Sequence, residues 1–341
     1  MTKWYREEGP ECDVILASQV QLSRNLEGIP FPARLDDAEK LRTADRIRAA
    51  AADSKSSLAG IFRYVDMQAL EEKQAVAMAE RRLVKPEFIA GRKGRGLLVS
   101  PDESLCILIN GEDHLLLQSA GAGFSLSKVY ERADSLDSIL SKSLPFAFDP
   151  RLGFLTENPS NLGTAMVASF ILHLPALNDL GVVERLSANL FRLGMSLRSI
   201  GGTVIRPRGS IYRLSNRITL GLSEQEAVEN LTGMARQIMA QERSSRKKLI
   251  QDIRVQDTVS RSLGILRSAR LLTYNEFLDL ASVVRFGVAA GFLQGIDYQL
   301  IDGLVLRTPP ATLMLEYGMT LTDSERRAFR AKMVREAFQN Q

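Results

Sequence analysis

The feature that most constrains the fold is a pair of apolar runs joined by the dipeptide Asn110-Gly111. The first run covers 105–109 with the sequence Leu-Cys-Ile-Leu-Ile, and the second starts at Leu115. Asparagine followed by glycine is the dipeptide that best tolerates positive φ at both central positions of a tight turn. The pattern therefore predicts a β-hairpin, and with it an antiparallel sheet in this part of the chain.

Charged side chains follow the predicted turn at once. They are Glu112, Asp113 and His114, the last being one of only 2 histidines in the chain. One interpretation is a hairpin tip whose charges are solvated. The other is a carboxylate held at a strand junction, where it can accept a proton from a bound substrate as general-base catalysis requires. The local pattern leaves both interpretations open.

Composition limits the classes of function. With 341 residues, of which 45% are hydrophobic and 25% charged, the chain allows one large or two ordinary domains. The net charge of +4 comes from basic residues spread along the sequence, so we expect no nucleic-acid partner. Cys12 and Cys106 are too few for a disulfide framework, no metal site is predicted, and no membrane span or N-terminal signal is found. A cytoplasmic protein without membrane association is expected.

The pattern of apolar residues changes about three quarters of the way along the chain. Before this point, alternating segments typical of strands are mixed with long helical segments, such as the one that Ser223 and Glu226 begin with a capping box and that can continue to about Val255. After it, the patterns are helical. We therefore predict an α+β fold with an antiparallel sheet flanked by helices over 1–255, followed by an all-helical domain over 256–341.

Two further segments contain residue types that bind ligands in other proteins. The segment 91–96, Gly-Arg-Lys-Gly-Arg-Gly, is basic and glycine-rich, as phosphate-binding loops are. It lacks the spacing of either common phosphate-loop motif, so a plain connector is the simpler interpretation. His173 stands among apolar residues, a setting more typical of a packed core histidine than of a ligand.

Motifs that are individually weak follow one another in a fixed order over nearly the whole chain. On these motifs the sequence resembles the phosphagen kinases, or ATP:guanidino phosphotransferases, and in particular their bacterial protein-arginine kinase branch. The matching segments are Gly9-Pro10 with Asp13, the block Asn110-x-Glu112-Asp113-His114, Phe148-Asp149 with Arg151-Leu152-Gly153, Pro159 with Asn161 and Gly163-Thr164, His173-Leu174-Pro175, Ser215-Asn216, Ala240-Gln241-Glu242-Arg243, and Arg261-Ser262 with Gly264-Ile265-Leu266.

The resemblance implies transfer of the γ-phosphoryl group of MgATP to a guanidinium nitrogen. In such a reaction the protein positions the reactants and neutralises phosphate charge. The family uses a cage of arginines for the phosphates and a glutamate that accepts the guanidinium proton. By resemblance, Glu112 occupies the position of this catalytic glutamate, and His114 belongs to the same block.

The positions of the arginine cage carry other residues in this chain. By resemblance, the five phosphate-binding arginines of the family fall on Gln19, Gln21, Leu116, Val167 and Gly201. The family also has an acidic loop that holds the substrate guanidinium. The corresponding loop here, 204–209, is basic through Arg206 and Arg208.

These replacements leave two hypotheses open. A charge-assisted hydrogen bond contributes ~1.5–3 kcal/mol, and a single catalytic arginine can contribute roughly 10³–10⁵ in rate. The first hypothesis is therefore a pseudokinase, a regulatory scaffold for which MgATP binding is doubtful. The second is an active phosphotransferase that keeps Glu112 as its base and has rebuilt its phosphate site from Arg206, Arg208 or the loop 91–96.

A family motif near the C-terminus, Arg-Asp-x-x-Arg-Ala, forms a pocket for phosphoarginine. Here the matching segment, 326–331, is Arg-Arg-Ala-Phe-Arg-Ala. Arg326 and Arg330 are four residues apart on one helix face, which suits a phosphate clamp, whereas Arg327 replaces the aspartate. A basic, solvated helix face is the alternative interpretation.

The resemblance also implies protein partners. Members of the family are dimeric through the C-terminal region and serve protein quality control. We therefore expect a homodimer, with a zinc-binding coactivator and an Hsp100-class unfoldase as possible partners.

Overall fold

Ten strands and twelve helices occupy the part of the chain that the computed structural model describes, residues 2–53, 58–204 and 206–339. The strands are β1 (Ile15–Arg24), β2 (Arg63–Asp66), β3 (Gly96–Val99), β4 (Leu105–Ile109), β5 (Leu115–Ala122), β6 (Phe148–Asp149), β7 (Gly153–Phe154), β8 (Met166–His173), β9 (Met195–Ser199) and β10 (Ile211–Asn216). The helices are α1 (Asp37–Ala52), α2 (Glu72–Glu80), α3 (Pro86–Ala90), α4 (Leu126–Ser141), α5 (Pro175–Asp179), α6 (Val183–Arg192), α7 (Glu224–Leu249), α8 (Ile253–Ser268), α9 (Tyr274–Ala289), α10 (Tyr298–Arg307), α11 (Pro310–Tyr317) and α12 (Asp323–Gln339).

Eight of these strands form one antiparallel sheet in the order β2-β3-β4-β5-β1-β8-β10-β9, which confirms the predicted fold class. The predicted hairpin is β4–β5, with Ile109 opposite Leu115. Its turn is longer than two residues, because the N–H of Asn110 donates to the carbonyl of His114 at 3.0 Å. The sequence predicts positive φ at both Asn110 and Gly111. The prediction is confirmed for Asn110, whose φ is 58°, and is wrong for Gly111, whose φ is not positive.

The two faces of the sheet are covered differently. On one face Val20, Leu22 and Phe170 are buried in the main core, together with apolar residues of α4 and α7. Side chains alternate between the two faces along a strand. The intervening residues of β1, among them Gln19 and Gln21, therefore point to the opposite face, which bears the candidate site.

Helix α7 begins as predicted and ends earlier. Ser223 and Glu226 form the expected capping box, in which each side chain accepts a hydrogen bond from the backbone of the other residue. The sequence predicts that this helix continues to about Val255, but it ends at Leu249. The cause is Asp252, whose side chain caps the first turn of α8 and so begins a separate helix.

Helices α8 to α12 surround a hydrophobic core of their own. Its buried members include Phe277, Val284, Leu304 and Phe338. No strand occurs among the described residues after α7, so the predicted all-helical character of the C-terminal part is confirmed as far as residue 339. The position of the domain boundary at 255/256 remains a prediction.

Buried polar contacts join the C-terminal helices to the sheet. Nε2 of His173, at the end of β8, lies 2.8 Å from the hydroxyl of Ser282 in α9. Nδ1 of the same ring lies 3.3 Å from Nη1 of Arg285. His173 is therefore a packed core histidine with satisfied ring nitrogens.

A second polar contact holds α11 against α2. Glu80, at the end of α2, accepts hydrogen bonds from two backbone N–H groups and one hydroxyl in the first turn of α11.

The buried state of His173 predicts a loss of stability in mild acid. Burial, together with the charges of Arg285 and Arg246, holds the pKa of His173 well below its usual value of 6.5. The unfolded chain then binds a proton below pH 6.5 that the folded chain does not, so the stabilisation is complete above pH 6.5 and is lost as the pH falls. We expect the free energy of unfolding to fall by up to about 1.4 kcal/mol per pH unit between pH 6.5 and 5 from this residue.

Urea unfolding at a series of pH values measures this slope. The His173→Gln variant should have a smaller slope by the amount given above, because glutamine does not titrate. His114, the other histidine, stays in place in both proteins and so contributes equally. Identical slopes for the two proteins would contradict the prediction.

Candidate functional site

Four of the five positions that the resemblance assigns to phosphate binding lie together on the sheet face opposite α4 and α7. Gln21 is flanked in register by Gln118 of β5 and Val167 of β8. Leu116 lies two residues along β5 from Gln118, and Gln19 lies two residues along β1 from Gln21. Amide and alkyl groups occupy these positions, so none of the four supplies a positive charge.

The fifth position, Gly201, lies apart from the other four in the loop between β9 and β10. Strand β9 ends at Ser199, which lies opposite Tyr212, and Tyr212 lies opposite Leu172 of β8. Leu172 is five residues along β8 from Val167, a separation of roughly 17 Å. The structure therefore brings together the four strand positions and leaves Gly201 at the other end of the sheet.

The basic residues of this loop lie outside the cavity onto which Glu112 opens. Nη1 of Arg208 lies 2.8 Å from Oδ2 of Asp279 in α9, and Arg206 is exposed. Neither arginine lines the cavity onto which Glu112 opens. Ile205 lies outside the described residues. In this arrangement the loop supplies no positive charge near Glu112.

Glu112 opens onto a cavity of about 590 Å³. Gln21, Leu116 and Val167 line the same cavity, so Glu112 shares it with three of the positions that resemble the phosphate site. Gln19 lines two neighbouring cavities instead. The assignment of Glu112 as a catalytic base remains a prediction, but its side chain is exposed and can reach a ligand in this cavity.

Carboxylates outnumber cations around this cavity. The lining contains the acids Glu87, Glu112, Asp113 and Glu157 and the bases Lys40, Lys85 and Arg95. Partial burial raises the pKa of Glu157, and the negative charges of Asp113 and Glu112 raise it further, against an opposing effect of Arg34. The guanidinium of Arg95 donates through Nε and Nη1 to three backbone carbonyl groups. This electrostatic environment favours a bound cation over a bound polyanion.

His114 holds the backbone next to the site. The ring is fully buried, its Nδ1 accepts a hydrogen bond from the N–H of Leu26 at 3.1 Å, and its Nε2 donates to the carbonyl of Pro30 at 2.9 Å. Burial lowers the pKa of His114, and the Pro30 hydrogen bond and Asp113 oppose this effect. Both ring nitrogens are therefore used by the protein, which gives His114 a structural role and leaves Glu112 as the one member of the pair that can meet a substrate.

The basic loop 91–96 is held by protein atoms. Arg92 donates to the carbonyl of Leu70 at 2.8 Å, and Lys93 pairs with Asp37 at 2.5 Å. Arg95 is bound to backbone carbonyl groups as described above. These contacts agree with the interpretation of the loop as a connector.

The arginines of the C-terminal motif differ in accessibility. Arg326 donates to a backbone carbonyl and lies 3.4 Å from Asp323, to which Arg327 is also paired at 2.6 Å. Arg330 is 2% exposed, and its Nε and Nη1 donate to the carbonyls of Thr308 and Leu272 at 2.9 and 3.0 Å. A phosphate can meet Arg326 and Arg327 at the surface but reaches Arg330 only if α12 moves. The phosphoarginine pocket remains a prediction.

Two arginines on the same sheet face were not predicted as site residues. Arg213 of β10 donates from Nη2 to the side-chain oxygen of Gln19 at 3.2 Å. Arg82, just after α2, lines two cavities together with Gln19. Alternation along β10 could have placed Arg213 on this face, whereas nothing in the sequence near Arg82 points to the sheet.

The residues at the family positions do not fit a triphosphate. Leu116 and Val167 have no hydrogen-bond donors and would desolvate phosphate oxygens without compensation. The two glutamines offer neutral amides, which form weaker hydrogen bonds to phosphate than guanidinium groups do.

Among the described residues, no group of three or more His, Cys, Asp or Glu side chains could hold a metal ion. No described helix combines the length and apolar character that crossing a bilayer requires.

Models of two protein domains match consecutive parts of the sequence. The ATP:guanido phosphotransferase C-terminal catalytic domain matches residues 43–245. The protein-arginine kinase McsB C-terminal domain matches residues 252–341. The eight-stranded sheet with its flanking helices thus defines a phosphagen-kinase fold, and an additional helical region follows it.

Relatives and solved structures agree with this class. The protein-arginine kinase of Caldanaerobacter subterraneus subsp. tengcongensis is 34% identical over 94% of this chain and 96% of its own length. That of Moorella thermoacetica is 34% identical over 98% and 97% of the two chains. The chain belongs to the protein-arginine kinase family.

Two solved structures show the same fold over 67% and 68% of this chain. The duplicated taurocyamine kinase from Schistosoma mansoni, with bound transition state analog components, matches with a TM-score of 0.60 and 28% identity. The match covers 67% of this chain and 33% of that one, so this chain spans a third of the duplicated enzyme. Lombricine kinase matches with a TM-score of 0.60 and 21% identity over 68% and 66% of the two chains, which supports the fold alone.

Proposed function

We propose that this member of the protein-arginine kinase family is a pseudokinase, a regulatory scaffold of protein quality control that acts through binding. One observation carries the proposal. Gln21, Leu116 and Val167 stand where the resemblance places phosphate-binding arginines, in a cavity whose lining has more carboxylates than cations. The γ-phosphoryl group of MgATP would have to be held there without the charge neutralisation on which this reaction depends.

The carboxylates of this cavity suit a cationic guanidinium group better than a phosphate group. Glu112 is exposed to the cavity, and the raised pKa of Glu157 reflects its burial and the other carboxylates nearby. An arginine side chain is therefore a better electrostatic match for this cavity than a nucleotide is. This supports recognition of protein arginines without their phosphorylation.

The C-terminal helices are the part of the chain through which we propose association. Ile253 is 72% exposed, Ile265 is 42% exposed and Leu271 is 59% exposed, all in or just after α8. Coverage of these side chains by a second chain would remove their apolar surface from water, which favours association. We propose a homodimer through this region, with a zinc-binding coactivator and an Hsp100-class unfoldase as further partners.

An active phosphotransferase with a rebuilt phosphate site and Glu112 as its base is the second candidate. Arg82 and Arg213 are the observation that favours it, because they bring two positive charges to the sheet face beside Gln19. Nucleotide affinity separates the two candidates, since the active enzyme has to bind MgATP productively.

Calorimetric titration with MgATP tests the proposed function. We expect a dissociation constant weaker than micromolar, because about 8 kcal/mol of binding free energy is needed to reach 1 μM and adenine stacking alone does not supply it. The protein-arginine kinase of Moorella thermoacetica, titrated in the same buffer, is the positive control. Binding of MgATP to this chain at micromolar concentration or below would favour the active enzyme instead.

A further inference from the structure

Four large apolar side chains are exposed together at the last strand of the sheet. They are Phe191 and Leu193, at the end of α6, and Ile218 and Leu220, just after β10, and each is at least half exposed. Single exposed apolar residues are ordinary, whereas a contiguous group surrounded by polar residues marks an interaction surface. We call these four residues the α6 patch.

Contacts between the two segments make the patch contiguous. The guanidinium of Arg217 lies over the ring of Phe191, 3.7 Å from its centroid, and the N–H of Arg217 donates to the carbonyl of Gly194 at 2.9 Å. Gly194 has a φ of 74°, and Ile218 packs so closely against it that a Cβ at this position would collide with Cδ1 of the isoleucine. The end of α6 and the segment after β10 therefore form one surface.

Buried neighbours fix the exposed positions of the patch. Thr219 is 4% exposed and donates from its hydroxyl to the carbonyl of Leu162 at 2.7 Å. The side-chain amide of Asn216 donates to the carbonyl of Ile218 at 3.2 Å. Because Thr219 faces inward, Ile218 before it and Leu220 after it face solvent. A surface that is ordered in advance loses little conformational entropy when a partner binds.

Positive charge surrounds the α6 patch. Arg185 and Arg192 are exposed on α6, and Arg217 is exposed beside Phe191. Within the described ranges, none of these three arginines pairs with a carboxylate. The only acid in the sequence of α6 is Glu184, so positive charge is in excess. An acidic partner therefore complements this surface.

The outer edge of β9 is partly closed to an added strand. The carbonyl of Gly194 and the N–H of Ile200 bond to the segment that contains β10, so the alternate residues, Leu197 among them, turn their backbone groups outward. The outward carbonyl of Leu197 already accepts a hydrogen bond from the hydroxyl of Ser187 in α6 at 3.0 Å. An extended peptide therefore cannot pair along the whole of β9, and a partner has to dock through side chains.

We propose that the α6 patch binds an acidic amphipathic helix of a partner protein. In this mode the apolar stripe of the helix covers Phe191, Leu193 and Ile218, and its flanking carboxylates pair with Arg192 and Arg217. Arginine is among the residues whose truncation at an interface costs the most affinity.

This surface is separate from those described above. None of the four residues of the α6 patch lines the cavity of Glu112, and the apolar residues proposed for dimerisation lie in or just after α8. The proposal therefore goes beyond the pseudokinase function and does not depend on it.

Fluorescence anisotropy with a labelled peptide tests the proposal. The probe is a peptide of about four helical turns with leucine at the spacing i, i+3, i+4 and i+7 and glutamate elsewhere. We expect saturable binding to the full chain that weakens as the salt concentration rises, because added ions screen exposed charges. The same peptide with lysine in place of glutamate should bind at least tenfold more weakly, because its charge has the sign of the surface.

Two substitutions locate the binding surface. Phe191→Ser removes an apolar contact, and Arg217→Glu reverses the charge beside it. Each should weaken binding of the acidic peptide by roughly tenfold or more. Arg217→Lys keeps the charge and should retain most of the affinity. Both residues are exposed, so we expect the variants to remain folded, which urea unfolding checks.

Leu41→Ser and Arg46→Glu are the matched controls, because they change an exposed apolar residue and an exposed arginine of α1. Neither should alter the affinity for the peptide. The proposal is overturned if the wild-type chain does not bind the acidic peptide, if the lysine peptide binds as tightly, or if the affinity is unchanged in both Phe191→Ser and Arg217→Glu. Dissociation of an oligomer by Phe191→Ser in sedimentation would also overturn it, because a second copy of this chain would then cover the patch.

Discussion

Replacement of Arg285 by leucine is expected to lower the free energy of unfolding by about 3–5 kcal/mol. Arg285 is 2% exposed and forms two hydrogen bonds to Asp302, at 2.9 and 3.2 Å. It also donates to the backbone carbonyls of Cys12 and Asp13 at 2.6 and 3.3 Å. Leucine would leave a carboxylate and two carbonyl groups without their donor at the junction between the sheet and the C-terminal helices.

Arg243→Leu is the matched control, because Arg243 makes ion pairs in the same region but is more exposed. Its side chain is 38% exposed, and it pairs with Glu11 and Asp13. A partly exposed pair of this kind contributes about 1 kcal/mol or less. Urea unfolding of the two variants compares the effects directly. A loss below about 1 kcal/mol for Arg285→Leu would show that the buried network does not hold the junction together.

A second substitution separates the lost hydrogen bonds from the orphaned charge. If the penalty arises from the unpaired carboxylate, Arg285→Leu combined with Asp302→Leu should be more stable than Arg285→Leu alone, since replacing both partners of a buried pair removes the charge as well. Equal stability of the single and double variants would instead assign the loss to the two backbone carbonyl groups.

The fold could be predicted where local chemistry decides the structure. The Asn110-Gly111 dipeptide gave the correct hairpin, and Ser223 with Glu226 gave the correct helix start. The length of the hairpin turn could not be predicted, because the Asn110 side chain donates to the carbonyls of Lys40 and Gly94, residues brought in by the tertiary fold. Such contacts are not visible in a local window.

The positions of the candidate site and the loss of its arginines were predictable from the sequence, but the charged residues that surround it were not. The resemblance placed Gln21, Leu116 and Val167 together, and the sheet register does bring them together. It gave no indication of Arg82, which follows α2 and lines the two neighbouring cavities that Gln19 lines. The periodicity of α12 also could not show that Arg330 donates to backbone carbonyl groups, because a helical pattern identifies a buried face but not its hydrogen-bond partners.

The rate of phosphoryl transfer should be lower than that of an active relative by roughly 10³-fold or more, since one catalytic arginine already contributes this much. The comparison is with the protein-arginine kinase of Moorella thermoacetica, which is 34% identical to this chain over 98% of its length. Both proteins are assayed at equal concentration with the same arginine-rich protein substrate and the same MgATP, so that a difference in rate comes from the enzymes themselves. Restoring single arginines at Gln21 or Val167 should not recover the rate, because the remaining positions of the cage stay neutral.

Incubation of the purified chain with γ-labelled MgATP and an arginine-rich protein is the most direct test of the pseudokinase proposal. We expect no label on arginine side chains above the level of the Glu112→Gln variant, because the cavity around Glu112 lacks the charge that the transferred group requires. Label on arginine that the wild-type chain produces and the Glu112→Gln variant does not would contradict the proposal and establish an active kinase.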